Sequence, residues 1–405
     1  MIKKVNKKNS LDFFCVILIL FVAIFSNNVW NQIRVLYWGS LMLIVFAHLF
    51  KNKGVINVKL YEFNYWNIAV LAMAFMSLIY TLDVGASMDV IKSMLVLFVV
   101  FCVSRSYMSD ENKVQNVLIA CFMAFLIDAV YILCTVDMDA IGEVQIGNAL
   151  ISGWNGNTIG MMAANGGVIG IWLMGRGKNY FYKLLYLIGT IVLLYTVVYT
   201  GSRGSLIFVV LSVIVYTIVS NPKKIILTLG ISVILLFVVY QVCMNVESVY
   251  DILGVRLEGL FSFVTGEGEV DASTLRRELY IENGIKWIKE SPFIGYGVNS
   301  YRVMNEGATG IYTYSHNNFI EIMINWGIMG FAIYYFAYMY IIVKLIKFSK
   351  NNKLCSIVFA MMVAEFVCHI SVVTYIDFFQ NLLLCVGFVL IFINKNQEKK
   401  DNIQS

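Results

Sequence analysis

His316 and Asn317 stand in the stretch YTYSHNNFIEIMINWGIMG, residues 312 to 330, where a polar segment gives way to a long apolar run; the chain has only three histidines. A neutral imidazole at the head of a helix can take a proton at physiological pH, while the flanking amides of Asn317 and Asn318 hold hydroxyl groups. The bland alternative makes His316 a helix cap. Glu321, one turn further on, is placed to orient such a site.

Two arginine segments could meet an anion. In YTGSRGSLIF, Gly201 and Gly204 let the backbone turn and Ser202 can cap the next helix, so Arg203 sits beside free helix N–H groups. An interfacial arginine that only snorkels to the headgroups is the competing reading. Arg276 and Arg277 follow in STLRRELYIENGIKWIKESPFIGYGVNSY; at helical spacing they point about a hundred degrees apart, so one is expected to face a site and the other solvent or Glu278. Two arginine sites for an anion and one base for an attacking hydroxyl fit chemistry on a lipid-linked diphosphate. No nucleotide fingerprint, Walker motif, H-E-x-x-H or G-x-S-x-G is present, and no cofactor is expected. The DMD run at Asp137 to Asp139 has D-x-D spacing but reads as an acidic loop, so no metal is expected either.

These residues must be carried by membrane elements. The chain is 60% hydrophobic and 14% charged with a mean hydropathy of +0.76, far beyond a soluble domain. The expected fold is an all-α polytopic membrane protein forming one integral membrane domain over residues 1–405, with about twelve transmembrane helices. The apolar runs cover 11–26, 32–50, 65–81, 88–104, 114–136, 156–174, 181–200, 204–220, 224–243, 318–346, 354–374 and 377–394. The head MIKKVNKK resembles that of a signal peptide, but VAIFSNN has no A-x-A cleavage site, so the first run reads as an uncleaved span.

With both termini in the cytoplasm, all but nine of the 30 lysines and arginines fall on the inner side. The nine are Arg34, Lys92, Arg203, Arg256, Arg276, Arg277, Lys286, Lys289 and Arg302. The net charge of +5 is then explained by inner-leaflet lipid, and no nucleic-acid partner is implied. The polar segment 244–317, between spans nine and ten, is a large, partly helical extracytoplasmic loop. Leu275, Leu279, Ile285 and Ile288 give its helix an apolar stripe, Pro292 stops it, and Tyr280 and Trp287 suit the membrane interface. The eight cysteines, without a C-x-x-C pair, read as packing residues. Asp128, Asp377 and the i, i+4 pair Glu365 and His369 are ionisable groups within spans, serving either function or helix association.

The order GSRG, then R-x-x-x-Y and IKESPFIGYGVNSY, then SHNNFIEIMINWGIMG resembles the O-antigen ligase and Wzy-type polysaccharide polymerase family over roughly residues 150–335. The first five spans match only in hydropathy. The resemblance implies a GT-C-like membrane glycosyltransferase that transfers or polymerises undecaprenyl-diphosphate-linked oligosaccharides on the outer face of the bacterial cytoplasmic membrane, without metal or nucleotide sugar. It implies a glycan or lipid-linked acceptor, and a flippase and a chain-length regulator as partners. By that resemblance Arg203 and Arg276 engage the diphosphate and His316 lies by the acceptor; Ser202, Asn317, Arg277, Tyr280 and Glu321 complete the substrate site. Tyr280 stands where the family usually has tryptophan, which leaves Arg277 as the alternative to Arg276. A composition rich in Lys, Asn and Ile inclines the reading to polymerase, with ligase next. A polytopic transporter of polysaccharide or small molecules is the contrasting class, and would be expected to show inverted repeats and broken helices around midplane charges.

Overall fold

The computed structural model describes residues 60–135, 156–176, 179–224, 243–250, 254–265 and 272–404, with a few isolated positions before residue 60 and between 226 and 241. Among these the chain is all-helical. The main helices are α1 (Glu62–Met76), α2 (Val84–Tyr107), α3 (Glu111–Thr135), α4 (Gly156–Met174), α5 (Tyr180–Tyr199), α6 (Arg203–Ser220), α7 (Val255–Thr265), α8 (Ala272–Glu290), α9 (Ser300–Thr309), α10 (Asn318–Ser349), α11 (Lys353–Cys368) and α12 (Phe378–Gln404).

Seven segments of the described chain are long and apolar enough to cross a membrane: Glu62–Ile79, Val84–Tyr107, Glu111–Thr135, Tyr180–Tyr199, Arg203–Ser220, Asn318–Ser349 and Phe378–Ile403. Each coincides with an expected apolar run. Two more expected runs form helices that fall outside this set. Glycine and polar residues fill the first half of α4, and α11 has only 16 residues, ending where Cys368 begins a turn. The runs at 11–26, 32–50 and 224–243, and the acidic Asp137 to Asp139, lie largely or wholly outside the described residues. The protein is a multi-pass membrane protein.

Small residues let these helices approach closely. A Cβ on Gly160 in α4 would lie 2.6 Å from the Thr200 hydroxyl and 2.8 Å from Ser202, so its absence admits the turn before α6. Helix α6 also packs along α11, and α10 packs against α11 and α12. Aromatic rings fill the centre: Phe63 meets Phe101 edge-on at 5.9 Å, and the Trp66 indole donates to the Ile333 carbonyl at 2.9 Å.

Helix α10 is not continuous. At Gly327 the backbone turns to φ 62° and ψ −163°, a conformation that glycine alone adopts without strain. The break frees backbone groups that must be paired in an apolar setting. The connection after α8 pairs them: Tyr296 N–H donates to Ile324 O at 2.7 Å, Gly297 N–H to Asn325 O at 3.0 Å, and Ile328 N–H to Pro292 O at 2.8 Å. The same connection is tied to the α1–α2 turn, where Ser87 donates to Val298 O at 2.7 Å and Val298 N–H to Ser77 at 3.2 Å. Gly327 therefore serves both the break and a close approach, since a Cβ there would collide with the Phe293 backbone.

The loop helix α8 is rotated relative to its sequence-based expectation. Leu275, Leu279 and Ile285 are exposed, whereas Tyr280, Gly284 and Trp287 are buried against Tyr301, Ile320 and Ile324. Gly284 admits Ile320, and the Tyr301 hydroxyl donates to Tyr280 O at 2.8 Å. Trp287 and Tyr280 fix the helix to α10, with Ile288 packed beside them, and Leu275, Leu279 and Ile285 are left on the outside. The large aromatic rings bury more area per residue than leucine, which decides the rotation.

Candidate functional site

The turn that carries Arg203 is built by small residues. Gly201 takes φ 60°, and Ser202 occupies the N-cap position of α6. Its hydroxyl does not cap, contrary to expectation: it donates to Asn157 Oδ1 at 3.2 Å and receives the Ser205 hydroxyl at 2.8 Å. Ser202 thus links the turn to α4. On the other side, the Cys368 thiol reaches Gly204 O at 3.5 Å. Fixed from both flanks, Arg203 extends across to the loop helix, where its Nη2 donates to the Thr274 hydroxyl at 3.1 Å.

Two and three residues along α8 from Thr274 come Arg276 and Arg277, both half-buried. At about 100° per residue the two straddle the buried Tyr280–Gly284–Trp287 face, each roughly fifty degrees from it. Both guanidinium charges act on His316, Arg277 ahead of Arg276. Arg276 also donates from Nε to Ala272 O at 3.2 Å, folding back along its own helix.

His316 sits in a strained turn at the head of α10, with φ 54°, one of two left-handed non-glycine positions among the described residues. Histidine is among the few side chains enriched there, and such strain gathers at functional sites. Its neighbours make the turn. The Ser315 N–H donates to a Glu321 carboxylate oxygen at 3.0 Å, and the Ser315 hydroxyl donates to Asn317 O at 2.8 Å. Asn317 is the N-cap, its Oδ1 accepting from Ile320 N–H at 3.1 Å. His316 is therefore not the cap, and the bland reading of this residue falls. Asn317 commits its carbonyl oxygen to capping, and Glu321 clasps the turn.

Behind this turn lies a closed ring of buried hydrogen bonds. Asn318 Nδ2 donates to the Tyr335 hydroxyl at 2.9 Å, that hydroxyl meets His369 Nδ1 at 3.2 Å, His369 Nε2 meets the Thr374 hydroxyl at 3.0 Å, and Thr374 N–H returns to Asn318 Oδ1 at 3.1 Å. Glu365 stands 3.4 Å from His369 Nε2, and Asn318 N–H donates to His369 O at 2.8 Å. His369 thus joins α11 to the first residue of α10, next to the turn that carries His316, while Glu365 stands behind it. Such a network gains its strength by satisfying all members of the ring at once.

The site is electropositive. Tyr280 lies parallel to the imidazole at 6.0 Å, and Tyr314 lies 4.1 Å away at 39°. Enclosed by these rings and by the charges of Arg277, Arg302 and Arg276, His316 has its pKa pushed down to about 3, first by burial and then by the arginines in that order. The imidazole is neutral at pH 7 and able to accept a proton. Residues 200 to 204, 272 to 280 and 314 to 321, separated in sequence, are brought together with fixed cations and one neutral base between them.

Residues 188–335 match the O-antigen ligase family model. No curated protein matches the chain. The O-antigen ligase match contains Arg203, Arg276, Arg277 and His316, and it also contains the break at Gly327 and the connection that fills it. It supports a membrane function in glycan assembly, on lipid-linked glycans.

Sequence reasoning passed over two members of this site. Arg302, on α9, acts on His316 more strongly than Arg276, and Tyr314 stands between the two with the Arg302 guanidinium 5.4 Å over its ring. Arg302 was legible only as one of the nine cations that the charge pattern sets apart; nothing in its spacing tied it to His316, because the Gly310 turn that folds α9 back toward His316 is a tertiary feature.

Proposed function

We propose that the protein is a membrane glycosyltransferase that polymerises undecaprenyl-diphosphate-linked oligosaccharide units, or transfers them to an acceptor, at the outer face of the bacterial cytoplasmic membrane. The observation that carries this reading is the convergence of Arg203, the Arg276–Arg277 pair and His316 from three distant segments. The segment 244–317 then faces outward and both termini face the cytoplasm.

In this reading the guanidinium groups of Arg203, Arg276 and Arg277 grip the diphosphate, which is both anchor and leaving group. Fixed cations stabilise the charge that gathers on it as the anomeric C–O bond breaks. His316 takes the proton of the acceptor hydroxyl as that oxygen bonds to the anomeric carbon, with inversion of configuration. Undecaprenyl diphosphate leaves carrying the electron pair of the broken bond. The low basicity of His316 among the arginines fits this order of events: the arriving diphosphate offsets the arginine charges, and the imidazole becomes a stronger base only when the donor is bound.

A transporter would also use a broken helix such as α10. Here, however, Tyr296, Gly297 and Pro292 occupy the backbone groups that the break frees, and the cations gather around His316 instead. Glycan laddering in a deletion strain tests the reading. Loss of long chains with intact lipid-linked units means polymerase, and unattached long chains mean ligase. Trapped inner-leaflet units mean transport and overturn the enzyme.

A further inference from the structure

Arg302 stands apart from the arginines that the sequence motifs single out. It comes from α9, and its guanidinium lies over the Tyr314 ring, which in turn lies against His316. Its Nε is buried and has no hydrogen-bond partner among the described residues. Among those residues, too, no carboxylate comes within ion-pair distance of it. The one buried carboxylate in its field, Glu321, is engaged by the Ser315 N–H. The buried Nε–H, with no acceptor among the described residues and with Glu321 beyond ion-pair distance, calls for an external anion, because desolvated donors are otherwise paired. The aromatic face of Tyr314 steadies the cation without neutralising it.

We propose that Arg302 is a further anion-binding residue of this site, contacting a phosphate of the lipid-linked diphosphate beside Tyr314. The assignment rests on the glycosyltransferase reading above. It makes the site a cradle of guanidinium groups from three helices, α6, α8 and α9, and gives Tyr314 the role of a platform. A two-phosphate headgroup has oxygens enough for all of them, whereas a monophosphate does not.

Binding to the full-length protein in nanodiscs tests this, with undecaprenyl diphosphate, undecaprenyl monophosphate and phosphatidylglycerol as probes. The wild-type protein is expected to prefer the diphosphate, Arg302→Gln to weaken its binding tenfold or more, and Arg302→Lys to weaken it several-fold because an ammonium lacks the two-pronged contact. Arg302→Lys keeps the charge, so it remains informative if the glutamine variant fails to fold. Diphosphate binding by Arg302→Lys within twofold of wild type overturns the proposal and leaves the glycosyltransferase reading intact. So does recovery of binding in Arg302→Gln/Glu321→Gln, which would mean that Arg302 only balances Glu321. A wild-type protein that binds undecaprenyl diphosphate no better than phosphatidylglycerol overturns both.

Discussion

The His316 imidazole and the Tyr280 phenol ring lie parallel, 10° apart in plane and 6.0 Å between centroids, so the helix of the large loop and the head of α10 share one wall. Tyr280 is itself held by its carbonyl, which accepts from Tyr301, and the arginines stand one turn before it. Position of the base and position of the cations are thereby set by the same side chain. Replacing Tyr280 with phenylalanine keeps the ring and the carbonyl and should leave transfer near normal; Tyr280→Ala should lose it while the protein still inserts. Full activity of the alanine variant in a glycan-transfer assay would remove Tyr280 from the site.

Because Asn317 and not His316 caps α10, the two residues separate in their effects. His316→Asn is tolerated by the turn, since asparagine also adopts the left-handed conformation, and should accumulate normally but lose transfer. Asn317→Ala should instead cost about 1 kcal/mol of stability with a smaller loss of transfer per folded molecule. Chain lengths close to normal from a His316→Asn strain would leave the histidine a structural residue only.

For the cations, lysine preserves charge but not a forked contact. Arg203→Lys and Arg276→Lys should each reduce transfer about a hundredfold, the scale of removing one aligned donor from a developing anion. Since Arg277 acts on His316 ahead of Arg276, Arg277→Lys should lose at least as much as Arg276→Lys. Steady-state rates of the three purified variants decide it, and an Arg277→Lys enzyme as fast as wild type would return the assignment to Arg276 alone.

The pH dependence has a definite sign. With its pKa near 3, His316 in the free protein stays neutral as pH falls from 8 to 5, so it adds no acid limb to kcat/KM in that range. Bound diphosphate raises the pKa toward the ordinary value of 6.5, so the acid limb of kcat should lie at higher pH than that of kcat/KM. The same shift works against stability in acid: the unfolded imidazole takes a proton below about 6.5 that the folded one refuses, so stability falls as pH drops from 7 toward 3. Coincident acid limbs in the two profiles would contradict the arginine-dependent tuning.

At Gly327 any side chain meets two obstacles, the positive φ and the Phe293 backbone against which the residue is packed. Gly327→Leu should lower the amount of folded protein sharply, through strain of about 1–3 kcal/mol and displacement of the Pro292–Gly297 connection. Detergent-extracted protein of normal yield and melting behaviour would argue against the break. Topology is checked separately with a cysteine at Ser262, after the exposed Cys134 is replaced by serine. The new thiol should react with an impermeant reagent in intact cells, and labelling only in inverted vesicles would reverse the orientation.

Hydropathy alone determined that this chain is helical and crosses a membrane repeatedly, because a backbone in hydrocarbon must pair its own polar groups and an apolar run of about twenty residues announces that by composition. Local chemistry likewise marked Arg203, Arg276, Arg277 and His316 as candidates, since glycine turns, helix starts and cations set apart from the clustered lysines are visible without a fold. Tertiary structure decided the rest. Which face of α8 turns inward depends on what α10 offers Tyr280 and Trp287, and the leucine stripe could not reveal that. The break at Gly327 exists only because residues 292–297, thirty positions upstream, supply donors and an acceptor for it. Arg302 gained its place beside His316 through the fold of α9. Helix periodicity is written in a chain's nearest neighbours, whereas the partner of a buried polar group is chosen by whatever distant segment packs against it.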